Sequence, residues 1–239
     1  MINFNVYIGY DEREDIAARV CKHSILSRLS PVIANNVAVK FLRIQEVPDF
    51  ERPWEPNQST SFTYTRFMIP YMENYGENYG AKNQYSIFCD CDFLFLADIT
   101  ELLFSIDPSK AISVCKHPAY IPRSAIKMDG VVQHQMPRKN WASLIVYNNR
   151  HPANRLLTPH MVNTVTPGRK LHTFDWLDDK DIGSIPLDWN VLDDYYYLAN
   201  PKAIHYTDGG PWFDNYKNTM YSHYWMKEYD AIARTPKQY

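Results

Sequence analysis

Two aspartates, Asp90 and Asp92, lie one residue apart between the apolar runs 85–89 and 93–96. In extended backbone, residues i and i+2 project to the same side of the chain, with Cα atoms roughly 6.6 Å apart. One divalent cation can bridge two carboxylates at this spacing, and a hard ion such as Mn²⁺ or Mg²⁺ also accepts oxygen ligands from a diphosphate. The pair therefore predicts a metal site of the kind that neutralises charge on a departing diphosphate.

The D-x-D pattern alone is a weak signal, because the chain contains a second one, Asp179-Lys-Asp181, which we interpret as a solvated loop. Position distinguishes Asp90 and Asp92, since unpaired carboxylates between two apolar strands would be costly. The alternative is that both are solvated or capping residues at the end of a strand.

His205 ends a third apolar run and precedes a turn that contains Gly209 and Gly210. A neutral histidine at a strand end can bind a metal, and two glycines allow the backbone to approach phosphate oxygens closely. A lone histidine is more often structural. With Asp90 and Asp92, however, His205 completes an O,O,N donor set that suits a manganese-class ion.

The elements that must position these residues alternate between strands and helices. Apolar runs predict strands over 4–10, 37–42, 85–89, 93–96, 111–115, 142–147 and 203–206. Capping signals predict three helices: one after Asp11, one from Ser59 to Met68 with an end near Pro70, and one after Asp98. This alternation predicts an α/β fold with a mainly parallel sheet flanked by helices. Such sheets bind ligands beyond the carboxyl ends of their strands, where Asp11, Asp90 and Asp92 fall.

The bulk composition excludes several classes of function. The 239 residues are 45% hydrophobic with a net charge of −2, which fits one globular domain and argues against nucleic-acid binding. Neither a signal peptide nor a membrane span of about 20 apolar residues is evident, so we expect a cytoplasmic protein. Four cysteines in apolar surroundings indicate reduced core thiols, and zinc binding by Cys89 and Cys91 is the alternative that their spacing disfavours.

Several spaced motifs, taken in order, resemble the retaining glycosyltransferases of family 8, the group of glycogenin and bacterial lipopolysaccharide galactosyltransferases. They cover most of the chain: 6–11 at the first strand, 59–70 with Arg66, 88–99 around the D-x-D, 142–148, the Trp-Asn element at 187–190, and 205–212. The resemblance implies a Rossmann-like GT-A fold over 1–239, with the nucleotide-sugar side in 1–110 and the acceptor side in 111–239.

The resemblance also implies an activity and a set of site residues. A hexose would pass from a nucleotide diphosphate donor, UDP-linked in this family, to a hydroxyl acceptor on a glycan or similar molecule. Mn²⁺ or Mg²⁺ would be held by Asp90, Asp92 and His205. The donor and its metal would be bound by Tyr7, Gly9, Asp11, Arg66, Asp90, Cys91, Asp92, Ser143, Gly209 and Gly210.

The sequence departs from the family pattern at three places, one of which is the stretch 140–143, Asn-Trp-Ala-Ser, where the family has small residues. Gly210 stands where the family carries a diphosphate-binding lysine, for which Lys217, Lys139 and Lys116 are the candidate replacements. The family's Asp-Gln-Asp segment has no clean counterpart, and Asp175, Asp178 and Asp179 lie in the corresponding region. We assign Asp175 and Asp178 as the catalytic candidates.

Two further segments carry open interpretations. The stretch 116–140 is a substrate loop or a solvated loop, with candidate residues His117, Lys127, Asp129, Arg138 and Lys139. The mixed aromatic and charged pattern of 220–234 predicts a helix packed on the domain, with peripheral membrane docking as the alternative.

Two rival functions remain at the sequence level. A metal-dependent nucleotidyltransferase or phosphohydrolase would use the same acidic pair, but it would be expected to carry a glycine-rich or basic loop after the first strand. The residues there, Tyr10 to Glu14, are acidic instead. A catalytically silent nucleotide-sugar-binding module is the other rival.

Overall fold

The structure is a computed structural model that describes residues 3–55, 58–74, 83–119 and 137–234. Nine strands within these residues form two sheets. Their bounds are β1 Phe4–Gly9, β2 Val37–Leu42, β3 Tyr85–Cys89, β4 Phe93–Phe95, β5 Ile112–Cys115, β6 Leu144–Asn148, β7 Ile182–Ile185, β8 Val191–Leu192 and β9 Ala203–His205.

The larger sheet has the strand order β2-β1-β3-β6-β5-β7. Five of these six strands run in the same direction, and β6 is antiparallel to both of its neighbours. All residues of β3 and β6 are buried, as expected for central strands covered on both faces. The predicted α/β fold with a mainly parallel sheet is therefore confirmed.

The smaller sheet has the order β4-β9-β8. Its strand β4 directly follows β3 along the chain. β4 and β9 are antiparallel with Phe93 opposite His205, and β8 runs parallel to β9. Only three residues, 90–92, connect β3 to β4. The two aspartates therefore lie at the junction of the two sheets, and His205 is brought to the same junction by its pairing with Phe93.

Within the described ranges, five α-helices accompany the sheets: α1 Asp15–Leu26, α2 Ile69–Asn74, α3 Leu102–Ser105, α4 Gly168–His172 and α5 Ser222–Arg234. The Asp11 carboxylate accepts the Arg13 N–H and caps a 3₁₀ turn, Glu12–Glu14, that leads into α1. The apolar stripe of α1 is buried as its spacing predicts, at Ala17, Val20, Cys21 and Ile25.

The predicted helix from Ser59 to Met68 is wrong. Residues 61–64 form a turn, Thr65–Met68 is a 3₁₀ helix, and α2 begins at Ile69. Pro70 is the second residue of α2 rather than its end, because a proline in the first turn removes an N–H that has no intrahelical partner. The N–H and hydroxyl of Ser61, near the expected cap, bind the Asp11 carboxylate instead.

The four cysteines are buried free thiols, and none belongs to the group of described residues that could hold a metal. This supports core thiols over a zinc site. Helix α5 packs on α1 as predicted, and its Glu228 accepts a 2.8 Å bond from Arg28. Within the described residues, no helix combines the length and apolar character needed to cross a membrane.

A buried carboxylate, Asp193, ties the end of β8 to the start of α5. Its main-chain N–H binds the His205 carbonyl at 3.0 Å, and its side chain accepts the Tyr221 N–H at 2.9 Å. Burial raises the pKa of Asp193 to about 6. Between about pH 4 and pH 6 the folded chain thus keeps a proton that the unfolded chain has lost, and stability falls as pH rises through this window.

We predict that Asp193→Asn stabilises the fold by ~2 kcal/mol at about pH 7 and has little effect at about pH 4, because the amide keeps an acceptor without the buried charge. Urea unfolding at the two pH values measures the difference. Asp194→Asn, at a partly exposed neighbour with φ 61°, is the matched control. An equal effect of Asp193→Asn at both pH values would contradict the prediction.

Candidate active site

Asp90, Asp92 and His205 converge at the junction of the two sheets. One ligand atom from each lies within 4.8 Å of the other two, and His205 Nε2 is 3.4 Å from Asp92 Oδ1. Asp92 and His205 are buried, whereas Asp90 is partly open. Two carboxylate oxygens and an imidazole nitrogen form a donor set that fits a first-row divalent ion such as Mn²⁺ and also accepts Mg²⁺.

The pairing of β4 with β9 fixes the relative positions of Asp92 and His205. The Tyr206 N–H donates to the Asp92 carbonyl at 3.0 Å, which extends the antiparallel ladder by one bond. The imidazole of His205 stacks on the Phe93 ring with centroids 4.5 Å apart and planes 17° apart. The ligand atoms are therefore placed by backbone pairing and by a packed ring, not by a flexible loop.

Arg66 fixes the third ligand. Its Nη1 lies 2.7 Å from Asp90 Oδ1 and 2.7 Å from the carbonyl of Ala142, and its guanidinium lies 4.6 Å from the Phe88 ring centroid. The arginine side chain is 6% exposed, so the ion pair is poorly screened by solvent. The arginine therefore holds the Asp90 carboxylate near Asp92 and His205.

A cavity of about 570 Å³ opens beside Asp90. Among the described residues, its lining includes four cationic side chains, Arg66, Arg138, Lys139 and Arg169, and two carboxylates, Glu55 and Asp90. The remaining lining residues are Ser59, Thr63, Tyr64, Asn140, Ala142, Ser143, Gly168 and His172. The excess of cations over carboxylates makes the cavity suited to an anionic ligand.

The two carboxylates of the cavity are already balanced by partners. Arg52 and the Tyr64 hydroxyl bind Glu55, and Arg66 binds Asp90. His172 adds no positive charge, because burial and then the nearby Arg66 lower its pKa to about 3. Lys139 and Arg169 therefore add positive charge to the cavity, whereas Arg138 is itself paired with the exposed carboxylate of Asp179.

No protein-family model matches the chain. Protein CDI of Arabidopsis thaliana is 40% identical over 247 residues, and the alignment covers 98% of this chain and 89% of that protein. The chain belongs to the Protein CDI family.

Solved structures identify the fold of this CDI-family chain as GT-A. The apo structure of the bifunctional glycosyltransferase WbbM matches with a TM-score of 0.63 and 16% identity over 95% of this chain, which spans 50% of the WbbM chain. Galactosyltransferase LgtC, in complex with donor and acceptor sugar analogs, matches with a TM-score of 0.57 and 12% identity over 95% of each chain. GlyE of Streptococcus pneumoniae TIGR4 matches with a TM-score of 0.55 and 12% identity over 96% of this chain and 60% of GlyE.

The lining of the cavity distinguishes among the three candidate replacements for the missing lysine. Lys139 lines it. Lys116 instead donates to the carbonyl of Ile182 at 2.8 Å, and Lys217 pairs with Asp214 at 2.6 Å. Lys127 and Asp129 lie outside the described residues.

The glycines and Cys91 are tightly packed in this CDI-family fold. A Cβ at Gly9 would lie 2.4 Å from the Phe62 ring, and one at Gly210 would lie 2.0 Å from the indole of Trp212. Gly209 has a φ of 131°, which a residue with a Cβ rarely adopts. The buried thiol of Cys91 donates to Glu14, so this side chain faces the core and only its backbone is available to a ligand.

The expected nucleoside residues lie apart from the cavity. Both oxygens of Asp11 accept hydrogen bonds, from Arg13 and from Ser61. Although burial opposes it, these bonds hold the pKa of Asp11 below its usual value. The Tyr7 hydroxyl donates to Glu73 at 2.8 Å and borders a different pocket, near the amino ends of the strands. The nucleoside roles of Asp11 and Tyr7 stay predictions.

The structure does not bring Asp175 and Asp178 into the cavity. Asp175 accepts from the Thr173 hydroxyl, and Asp178 forms an exposed 3.3 Å ion pair with Lys180. His172 and Arg169, on the preceding helix α4, line the cavity instead. The catalytic role assigned to the two aspartates stays a prediction.

Sequence reasoning missed His172 and Arg169 because the run 168–172 matches no catalytic motif. Gly168 was the available signal: a Cβ there would lie 2.2 Å from the Tyr64 hydroxyl, which marks close packing at the cavity wall. Of the loop candidates, Arg138 and Lys139 line the cavity, whereas His117 is buried and is not part of its lining. Burial, and then the nearby His205, lower the pKa of His117 to about 4.

We predict that Arg66→Met lowers the free energy of unfolding by about 3 kcal/mol, because it leaves the Asp90 carboxylate without its cation. Adding Asp90→Asn should restore part of the loss, which a double-mutant cycle in urea measures as a coupling energy. Arg19→Met is the control, since Arg19 forms an exposed pair with Asp15 and should cost at most about 1 kcal/mol. Purely additive losses would show that Arg66 does not balance Asp90.

Proposed function

We propose that this CDI-family chain is a metal-dependent glycosyltransferase that moves a hexose from a UDP-linked donor to a hydroxyl acceptor on a glycan or similar molecule. The observation that carries the proposal is the Asp90–Asp92–His205 donor set, whose Asp90 lines a cationic cavity. The GT-A fold shared with glycosyltransferases supports it.

The metal would be held by Asp90, Asp92 and His205, with Mn²⁺ favoured by the nitrogen ligand. When bound, the ion would neutralise negative charge on the diphosphate. Arg66 holds Asp90 in place, while Lys139 and Arg169 offer further positive charge to the phosphates. Lys139 is thus our proposed substitute for the family lysine whose place Gly210 occupies.

The donor sugar would occupy the cavity beside Asp90. Its wall offers neutral hydrogen-bonding groups from Asn140, Ser143 and Thr63, which suit sugar hydroxyls. The neutral imidazole of His172 and the Tyr64 ring, packed edge to face, add partly apolar surface to the same cavity. We infer a retaining outcome from the family 8 resemblance, with Asp175 and Asp178 as its proposed catalytic residues.

A nucleotidyltransferase or phosphohydrolase would be expected to cradle phosphate at the first strand–helix turn. In this chain that turn contains three carboxylates, on Asp11, Glu12 and Glu14, and one cation, on Arg13, a balance that is unfavourable for a phosphate. The cationic side chains lie at the cavity beside Asp90 instead. This distribution of charge favours a diphosphate at the junction of the two sheets and therefore favours sugar transfer.

We predict that UDP binding depends on the metal, because Asp90 and Asp92 would repel the diphosphate without a cation between them. Calorimetric titration of UDP in EDTA and then in Mn²⁺ tests this. UDP at about 100 times its Kd should also stabilise the metal-loaded protein by about 2.7 kcal/mol. Equal UDP affinity in both conditions would rule out the proposed site.

We predict that Asp92→Asn weakens Mn²⁺ binding by more than about tenfold while the protein stays folded, because a neutral amide is a poorer ligand for a hard cation. Asp181→Asn, in the second D-x-D of the chain, is the matched control and should leave Mn²⁺ affinity unchanged. Electron paramagnetic resonance of free Mn²⁺ measures both. Unchanged affinity in Asp92→Asn would remove Asp92 from the ligand set.

We predict that Lys139→Met weakens UDP binding about tenfold in Mn²⁺ without changing Mn²⁺ affinity, since the proposed contact of its ammonium is with the phosphates and not with the metal. Lys217→Met is the control, because Lys217 is a surface residue paired with Asp214. Calorimetry with UDP and with uridine separates a phosphate contact from a general loss of fit. An equal loss for uridine would contradict a phosphate role for Lys139.

A further inference from the structure

Asn190 is a fully buried amide that connects His205 to the wall of the cavity. Its Oδ1 lies 3.0 Å from His205 Nδ1, and its Nδ2 lies 3.0 Å from Ser143 Oγ. The main chain of Asn190 is also fixed, because its N–H donates to Leu187 and its carbonyl accepts from the Tyr196 hydroxyl. The side chain therefore has a defined position behind the imidazole.

The hydroxyl of Ser143 determines which way the amide of Asn190 faces. Ser143 Oγ donates its one proton to the main-chain carbonyl of Asn140 at 2.7 Å. Toward Asn190 the hydroxyl can therefore only accept, so the NH₂ group of the amide must face it. The same NH₂ group lies 3.5 Å from the Asn140 carbonyl, which is also an acceptor only.

The direction of the amide then determines the tautomer of His205. With NH₂ facing Ser143, the carbonyl oxygen of Asn190 faces Nδ1 of the imidazole and can only accept. Nδ1 must carry the proton, and in the neutral ring Nε2 must then carry the lone pair. Nε2 is the nitrogen that lies 3.4 Å from Asp92 Oδ1, at the proposed metal position.

We propose that Asn190 is a positioning residue that holds His205 in its Nδ1–H tautomer, so that the Nε2 lone pair faces the cation. This inference rests on the proposed metal-dependent function. The opposite tautomer would direct an N–H group at the cation and abolish ligation by His205. The hydrogen bonds from Asn140 through Ser143 and Asn190 to His205 thus make the tautomer of a proposed metal ligand depend on a main-chain carbonyl.

The same chain of bonds reaches a second ligand. The carbonyl of Ser143 accepts the main-chain N–H of Asp90 at 2.9 Å. Ser143 therefore contacts Asp90 through its backbone and His205 through its hydroxyl and Asn190. Because Asn140 and Ser143 also line the cavity, the wall that would contact the donor is part of the framework that orients the ligands.

The decisive test is the ¹⁵N spectrum of the His205 imidazole in metal-free wild-type protein at about pH 8, where histidine is ordinarily neutral. Ring-nitrogen shifts, assigned by comparison with His205→Gln, report which nitrogen carries the proton. We expect it on Nδ1. A proton on Nε2 would overturn the proposal whatever the variants do.

Asn190→Leu, similar in size but without polar atoms, should release the tautomer and weaken Mn²⁺ binding by ten- to a hundredfold, roughly the range seen for lost outer-shell partners. Asn190→Asp keeps an acceptor oxygen and should retain the Nδ1–H tautomer. The control is Asn154→Leu, which removes an equally buried amide whose bonds run to the carbonyls of Ala111 and Asn148.

The outcomes separate this inference from the proposed function. If Asn190→Leu keeps both the tautomer and wild-type Mn²⁺ affinity, Asn190 has no positioning role, while metal binding by the chain still stands. If wild-type protein shows the Nδ1–H tautomer but binds no Mn²⁺, the metal-dependent function fails and the role of Asn190 toward a metal fails with it.

Discussion

The structure of the site depends on the placement of two carboxylates, Asp90 and Asp92, close together and largely out of water. Like charges in this position repel, and removing each from solvent carries its own penalty. The fold offsets this repulsion in part with Arg66, whose Nη1 lies 2.7 Å from Asp90 Oδ1. A divalent cation would complete the balance. The second sheet matters because its antiparallel pairing brings His205 to this position.

Much of the fold could be predicted because the signals are local. The apolar runs 37–42 and 85–89 become strands over those residues, since each is bounded by polar or turn-forming residues. The helix expected from Ser59 failed because the Ser61 hydroxyl and N–H bind Asp11, 50 residues away, rather than a helix terminus. The reversed direction of β6 was equally hidden, because the sequence of a strand does not encode the direction of its neighbours.

The residues of the candidate site could likewise be predicted from the sequence only in part. The D-x-D pair and His205 could be predicted because each ends or begins an apolar run, and the structure brings all three together. The cationic wall could be predicted only in part, since Arg138 and Lys139 belong to the candidate substrate loop 116–140, whereas Arg169 comes from a separate segment that matches no motif. Asn190 belongs to a recognisable Trp-Asn element. Its contact with His205, however, depends on how β8 and β9 pair in the folded chain, which the sequence does not reveal. Long-range packing, not composition, determines these contacts.

Asp11 shows how a residue expected to bind ligand also supports the fold. Its Oδ2 accepts from the buried segment at Ser61, which leads through Phe62, packed on Gly9, to Arg66. Its other partner, Arg13, has a side chain that is 46% exposed and is therefore the partner that an incoming ligand would reach first. A nucleoside at this edge of the sheet would therefore displace Arg13 and not Ser61. In that arrangement Asp11 would contact the nucleoside while its bond to Ser61 still supports the segment that positions Arg66 and, through it, Asp90.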